Sequence, residues 1–186
     1  MPSSLAIIIC STRPGRLGPA VAEWVMETVQ GHEAFTPRLI DLADLNLPLL
    51  DEPEHPSVRR YHHEHTKRWS SLVDEADAFV FVTPEYDYFS PASLVNAIQY
   101  LSQEWAYKPA GIVSYGGISG GLRSTQTLRL LLSNVNVHTI TQSVSVQFVK
   151  QQVHDGTFTP PEHAPQAAAT MFAELAKWAQ ALAVLR

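Results

Sequence analysis

Strands alternating with helices predict an α/β fold, an open parallel sheet covered by helices on both faces. Three observations carry this reading. Leu5-Ala6-Ile7-Ile8-Ile9-Cys10 and Ala78-Phe79-Val80-Phe81-Val82-Thr83 are continuous apolar runs rich in β-branched and aromatic residues, the pattern of strands buried on both faces. Between such runs stand segments of helical spacing, Val21, Ala22, Val25 and Val29, then Leu94, Val95, Ile98 and Leu101. The chain has 186 residues, 45% hydrophobic and 17% charged, enough for one ordinary core. No repeat, low-complexity tract or long linker divides it, so one domain over residues 1–186 is expected.

The elements follow in order. The first strand, Leu5–Cys10, ends in the polar turn Ser11–Gly18, and Pro19 suits the start of a helix because its missing N–H would be unpaired there. Gly31 stops that helix. Pro37–Leu42 reads as a second strand, and Asp44–Pro56, with three prolines and several acids, as a long surface connection. A helix is expected from about Val58 to Asp74, then the strand ended by Pro84 and the helix carrying Leu94 and Ile98. Pro109–Tyr115 is a fourth strand, followed by the glycine cluster Gly116–Gly121 and a helix through Leu128, Leu131 and Leu132. Val137–Thr141 and Val144–Phe148 supply the last strand, and a closing helix after Pro160-Pro161 places Met171, Phe172, Leu175, Trp178, Leu182 and Leu185 at helical spacing.

Composition narrows the function classes. Thirteen Lys and Arg against eighteen Asp and Glu give a formal charge of −5, which disfavours a duplex nucleic-acid partner. No apolar stretch approaches the ~20 residues that span a bilayer, and no positive charge precedes Leu5–Cys10 as a secretory signal would require. A cytoplasmic location without membrane contact is expected. The single Cys10 excludes an internal disulfide framework and reads as a small core residue. His62, His63 and His65, with His55 nearby, lack a Cys partner or an H-E-x-x-H pattern. They read as a solvated face, and no metal is expected. Trp24, Trp69, Trp105 and Trp178 read as packing residues on helices.

In an open α/β sheet, ligands bind beyond the carboxyl ends of the strands. Three strand ends are rich in hydroxyls, glycine or aromatics. Ser11-Thr12-Arg13-Pro14-Gly15-Arg16-Leu17-Gly18 joins a strand to a helix, so free N–H groups and the positive helix end suit a phosphate, aided by two guanidinium forks. It matches neither G-x-x-x-x-G-K-[ST] nor G-x-G-x-x-G, which favours a mononucleotide. Pro84-Glu85-Tyr86-Asp87-Tyr88-Phe89-Ser90 offers aromatics for a planar ligand, although at least one of Phe89 and a Tyr is expected to pack on the sheet edge, and Glu85 and Asp87 to be solvated or bonded to backbone. Ser114-Tyr115-Gly116-Gly117-Ile118-Ser119-Gly120-Gly121 contains G-x-S-x-G, the pattern of a hydrolase nucleophile elbow, with Asp155 and His163 downstream in Ser…Asp…His order. A serine hydrolase using Ser119 is therefore an alternative. The simpler reading is that the glycines let the backbone approach a flat ligand.

Taken in order, these segments resemble the NADPH-dependent FMN reductases of flavodoxin-like fold, a group that includes quinone, azo-dye and chromate reductases. The likeness runs from Leu5 to about Val137. The family's G-S-x-R is here Cys10-Ser11-Thr12-Arg13, its P-E-Y-N is Pro84-Glu85-Tyr86-Asp87, and its L-x-N-A-I is Leu94-Val95-Asn96-Ala97-Ile98. Ser114-Tyr115-Gly116-Gly117 with Gly120-Gly121, and Leu45-Asn46-Leu47-Pro48-Leu49, complete the pattern. The resemblance implies a five-stranded doubly wound sheet binding FMN. The phosphate would lie on Ser11, Arg13, Arg16, Leu17 and Gly18. The isoalloxazine would be held by backbone of Pro84, Glu85, Tyr86 and Asp87, and by Ser114, Gly116 and Gly117. It also implies ping-pong hydride transfer from NADPH or NADH through FMN to a small-molecule acceptor such as a flavin or quinone, with no side chain needed as acid or base, in a homodimer or homotetramer. A non-enzymatic FMN electron carrier is a further alternative. Cys10 in place of Gly and Asp87 in place of Asn depart from the family pattern, the second bearing on the flavin potential.

Overall fold

Residues 1–186 are described by a computed structural model. Five strands, β1 (Ser3–Ile9), β2 (Phe35–Asp41), β3 (Ala78–Pro84), β4 (Pro109–Tyr115) and β5 (His138–Val146), pair in the order β2-β1-β3-β4-β5. All four pairings are parallel, as the double-sided apolar runs require. The chain winds outward from β1 to β2, then returns across β1 to β3. The turns after β1 and β3 therefore part in opposite directions, and the crevice between them is where this topology binds ligands.

The helices α1 (Gly18–Val29) and α6 (Ala164–Leu182) cover one face, where Val21, Val25, Met171, Phe172 and Leu175 pack on Ile7, Val80 and Val113. On the other face lie α2 (Leu42–Leu45), α3 (Glu64–Asp74), α4 (Ala92–Gln99) and α5 (Leu122–Asn134). They bury Trp69, Leu94, Ile98 and Leu128 against Ile8, Phe79, Phe81 and Ile112. Cys10 is buried there, its thiol donating to the Ile8 carbonyl at 3.3 Å, and burial pushes its pKa up. Three of the four tryptophans lie on helices, but Trp105 sits on a 3-10 turn, Gln103–Trp105.

Three expectations needed correction. The helix expected from Val58 begins only at Glu64. Pro56–Val58 is a 3-10 turn closed by Arg59 in the left-handed region at φ 54°, and the N–H groups of His62 and His63 go to the Glu52 carboxylate at 2.8 and 3.0 Å. His62 and His63 thus precede the helix, so His62 and His65 share no helical face. Instead His63 and His65 stack at 5.2 Å, and His65 bonds Asp51 at 3.0 Å. The last strand is continuous, His138–Val146, with a register irregularity opposite Ala110–Ile112, and it ends before Phe148. Beyond it stands an unanticipated hairpin, β6 (Val153–His154) with β7 (Thr157–Phe158). Asp155 and Gly156, at φ 49° and 79°, form its two-residue turn, the left-handed pair that a type I′ hairpin demands.

Candidate functional site

The turn after β1 lies over the crevice. Within it, Arg13 N–H donates to Ser11 Oγ and Arg16 N–H to Arg13 O. The N–H groups of Thr12, Gly15, Leu17 and Gly18 have no internal acceptor, the usual surplus of a helix N-terminus and a ready anion nest. Gly15, at φ 69° with open space where a Cβ would stand, lets the turn bend around a ligand. The two arginines differ. Arg13 is exposed and makes no ion pair. Arg16 is anchored: one nitrogen donates to the Ser11 carbonyl at 3.0 Å and the other reaches Asp41 at 2.5 Å. Asp41, which also accepts from Ala43 N–H at the start of α2, converts Arg16 from a free cation into a brace for the turn. Ser11 is buried, and its hydroxyl is shared with Tyr86 Oη at 2.7 Å. Gly18 is buried too. A Cβ there would stand 2.7 Å from Tyr115 Oη.

The turn after β3 closes tightly. Tyr86 and Phe89 exchange both backbone hydrogen bonds at 2.9 Å, and the two residues between them, Asp87 and Tyr88, have φ 49° and 73°. Both signs must be positive in such a turn. Asp and Asn are the side chains that best tolerate this region, so Asp87 keeps the conformational requirement of the position. Tyr88 is a bulky residue in the same region, a source of local strain. Tyr88 and Phe89 are 62% and 61% exposed, so of the three aromatics only Tyr86 is half-buried. Their rings stand off because the turn projects past the strand end. Glu85 is not solvated: its side chain is 9% exposed and accepts from Ser119 Oγ at 2.9 Å, Arg123 N–H at 3.1 Å and the Arg123 guanidinium at 2.8 Å. Burial raises its pKa, but these donors outweigh that and hold the carboxyl below its ordinary value.

The turn after β4 supplies the remaining rim. Ser114 is buried with its hydroxyl donated to the Gly120 carbonyl at 2.8 Å, so its side chain is committed to holding the turn. Gly117 has open space at its missing Cβ and an N–H with no internal acceptor. The hydrolase constellation is not assembled. Ser119 donates to Glu85, His163 bonds the Ser145 carbonyl at 3.1 Å, and Asp155 is the hairpin residue. Ser119 also lacks the left-handed strain of a nucleophile elbow.

Arg13, Gly15, Arg16, Leu17, Pro84, Glu85, Tyr86, Tyr115, Gly116 and Gly117 line one cavity of about 590 Å³, within the roughly 300–1,000 Å³ of small-molecule sites. Ser11, Gly18, Asp87 and Ser114 are not part of this lining. A wall missed in the sequence closes it, Phe148-Val149-Lys150-Gln151. Phe148 turns left-handed at φ 48°, and the N–H groups of Phe148 and Val149 donate to the carbonyls of Gly117 and Gly116 at 3.0 and 3.1 Å. The signal that could have found this wall is Asp155-Gly156, because the hairpin it makes returns the chain to α1, where Phe158 meets Trp24 edge-on at 5.5 Å. The walls are therefore stitched in series: Ser11 to Tyr86, Glu85 to Ser119 and Arg123, Gly116 and Gly117 to Val149 and Phe148.

This donor set fits FMN. The nest and Arg13 match one phosphate, and Tyr86 and the open glycines match a flat ring. Tyr115 also belongs to the lining, but its hydroxyl is sealed from solvent beside Gly18 and has no partner in the protein. Burial pushes the Tyr115 pKa up, so it is a donor at neutral pH.

The comparisons with known proteins agree. The model of the NADPH-dependent FMN reductase family matches residues 3–151. An NAD(P)H-dependent FMN reductase of Schizosaccharomyces pombe is 44% identical over 119 residues, which cover 63% of this chain and 60% of that protein's length. One of Saccharomyces cerevisiae is 35% identical over 147 residues, 73% of this chain and 76% of the relative. The flavoenzyme NAD(P)H:(acceptor) oxidoreductase FerB of Paracoccus denitrificans shares the fold, with a TM-score of 0.75 at 20% identity over 96% of this chain and 97% of that one. With a nest for one phosphate, an open ring cavity and a family match that spans all five strands, the chain belongs to the NADPH-dependent FMN reductases.

Proposed function

We propose that this chain is an FMN-dependent oxidoreductase that takes a hydride from NADPH or NADH and delivers electrons to a small flat acceptor, a flavin or a quinone, in alternating half-reactions. The observation that carries the reading is the stitched cavity with its unpaired Arg13 and free N–H nest. Bound FMN supplies the two-electron chemistry. The chain's residues hold and orient it. The turn after β1 takes the phosphate, and the Ser11–Tyr86 and Glu85–Arg123 links brace the rim before any ligand arrives. Such preorganisation is what the protein contributes when the cofactor carries the reaction. Donor and acceptor share this one cavity in the proposal and take turns there. Relatives named for quinone and azo-dye reduction support a flat, oxidised acceptor.

The test is to strip FMN, restore it, and follow NADPH oxidation with a quinone. Activity that returns with FMN but not with riboflavin supports both the cofactor and the phosphate nest. Activity independent of FMN overturns the reading. FMN binding with negligible NAD(P)H turnover identifies an electron carrier instead. No helix is long and apolar enough to cross a membrane, and we assign the protein to the cytoplasm. We further propose a homodimer or homotetramer. Leu49, Leu50 and Val58 are 82%, 43% and 46% exposed along one connection, and a second copy would cover them. A monomeric mass by sedimentation at micromolar concentration would refute this.

A further inference from the structure

Four charged residues line the cavity: Arg13, Arg16, Glu85 and Lys150. Two are already neutralised, Arg16 by Asp41 at 2.5 Å and Glu85 by Arg123 at 2.8 Å. Arg13 and Lys150 make no ion pair, so the lining carries two uncompensated positive charges and no uncompensated negative one. These two stand on different walls. Arg13 belongs to the turn after β1, among the free N–H groups that fit the FMN phosphate. Lys150 belongs to the 3-10 turn Val149–Gln151 beyond β5. That turn is held in place: Phe148 and Val149 donate to Gly117 and Gly116, Gln147 Nε2 donates to the Ile118 carbonyl at 2.9 Å, and Gln151 N–H closes on Phe148 O at 2.9 Å. The backbone of Lys150 is thus fixed to the rim of the ring cavity, while its side chain is exposed and unengaged.

A phosphomonoester in the nest is met by Arg13 and the backbone, which leaves the charge of Lys150 for a second ligand. A neutral quinone offers it nothing, whereas a nicotinamide dinucleotide always carries phosphate. We propose that Lys150 is a specificity-determining residue that pairs with a phosphate of the dinucleotide donor as the nicotinamide docks over the cavity. Lysine suits this as a mobile point charge that follows a ligand arriving and leaving each cycle. The proposal rests on the NAD(P)H reading above and adds the residue that recognises the donor.

The experiment uses the FMN-loaded protein and three variants, Lys150→Gln, Lys150→Arg and, as a distant control, Lys177→Gln, whose lysine pairs with Glu174 on α6. Two quantities are read: kcat/KM for NADPH and for NADH with one quinone, and the dissociation constant of NADP+ from its perturbation of the flavin absorbance. Loss of one charged hydrogen bond predicts about a tenfold fall in kcat/KM and a matching weakening of NADP+ in Lys150→Gln. Lys150→Arg should recover most of it, Lys177→Gln should change neither quantity, and added salt should narrow the difference. A fall for NADPH alone places the 2′-phosphate on Lys150, and an equal fall for both donors places the shared pyrophosphate there. Either outcome supports the proposal. Unchanged donor kinetics and NADP+ binding overturn it, as does a loss confined to FMN affinity, which would assign Lys150 to the cofactor. A wild-type protein that binds FMN but turns over neither donor fails the functional reading itself, a result distinguishable from failure at Lys150.

Discussion

Arg123→Ala tests whether the rim is held by the Glu85 cluster. The alanine keeps the backbone N–H that donates to Glu85 at 3.1 Å, and Ser119 still donates at 2.9 Å. What is lost is the guanidinium bond at 2.8 Å and the stacking of that guanidinium over the Tyr88 ring at 4.3 Å. The pair is neither a surface pair nor a fully buried one, with Arg123 44% exposed and Glu85 only 9%. Exposed pairs contribute about 0.2–1 kcal/mol, whereas breaking a buried pair costs about 3–5 kcal/mol. An intermediate value near 1.5 kcal/mol, with about 0.5 kcal/mol for the cation over the ring, gives about 2 kcal/mol. For a chain of this length that is a fall of roughly 4–8 °C in Tm. The sign of the pH dependence follows from Glu85, whose folded pKa lies below its ordinary value. Its pairing stabilises the fold above the ordinary carboxylate range, and that stabilisation is lost as pH falls through the lower folded pKa. Urea unfolding of wild type and variant should therefore differ fully at neutral pH and converge as the solution is acidified below about pH 4. FMN affinity should weaken as well, because the turns after β3 and β4 lose one tie. A stability difference below about 0.5 kcal/mol, or one constant with pH, would refute the account.

Three further outcomes follow from the same geometry. Gly121→Ala forces a Cβ to within 2.7 Å of Ser114 Cβ and 2.9 Å of the Tyr115 nitrogen at φ 83°, so urea unfolding should show a loss above about 2 kcal/mol, whereas Gly117→Ala, with open space, should leave apo stability within about 0.5 kcal/mol and weaken only FMN binding. A double-mutant cycle of Ser11→Ala and Tyr86→Phe should return a coupling of about 1 kcal/mol from the 2.7 Å bond between them. Lys108 is buried, donates to the Val73 and Asp74 carbonyls, and is pushed down to about 8 by desolvation. Its folded pKa lies below the unfolded one, so it weakens the fold most below about pH 8 and stability should rise from there towards about pH 10, a rise that Lys108→Met should flatten.

Much of this arrangement was legible in the chain because the physics was local. Leu5–Cys10 and Ala78–Thr83 could be read as strands because both faces of a parallel strand are apolar, and Pro19 and Gly31 bracket α1 through their own backbone restrictions. The three turns follow from those strands, since topology alone brings their carboxyl ends to one rim. What escaped was set by partners distant in sequence. Val58–His63 has helical spacing, but the Glu52 carboxylate takes the N–H groups that a helix would have needed. The pairing of Arg16 is hidden for the same reason. A guanidinium in a phosphate-like turn looks free until Asp41, 25 residues later, is found beside it. Ser119 illustrates the converse. Its G-x-S-x-G frame is a local pattern with a chemical meaning, yet the meaning depends on a base within reach, and the group within reach is the Glu85 carboxylate, itself tied to Arg123. The same three-residue cluster that removes a nucleophile from the rim joins two of its turns. A pattern that looked like the chemistry is therefore part of the frame that positions the ligand which carries it, and this is why loosening the cluster at Arg123 should be felt in FMN affinity rather than in any hydrolytic activity.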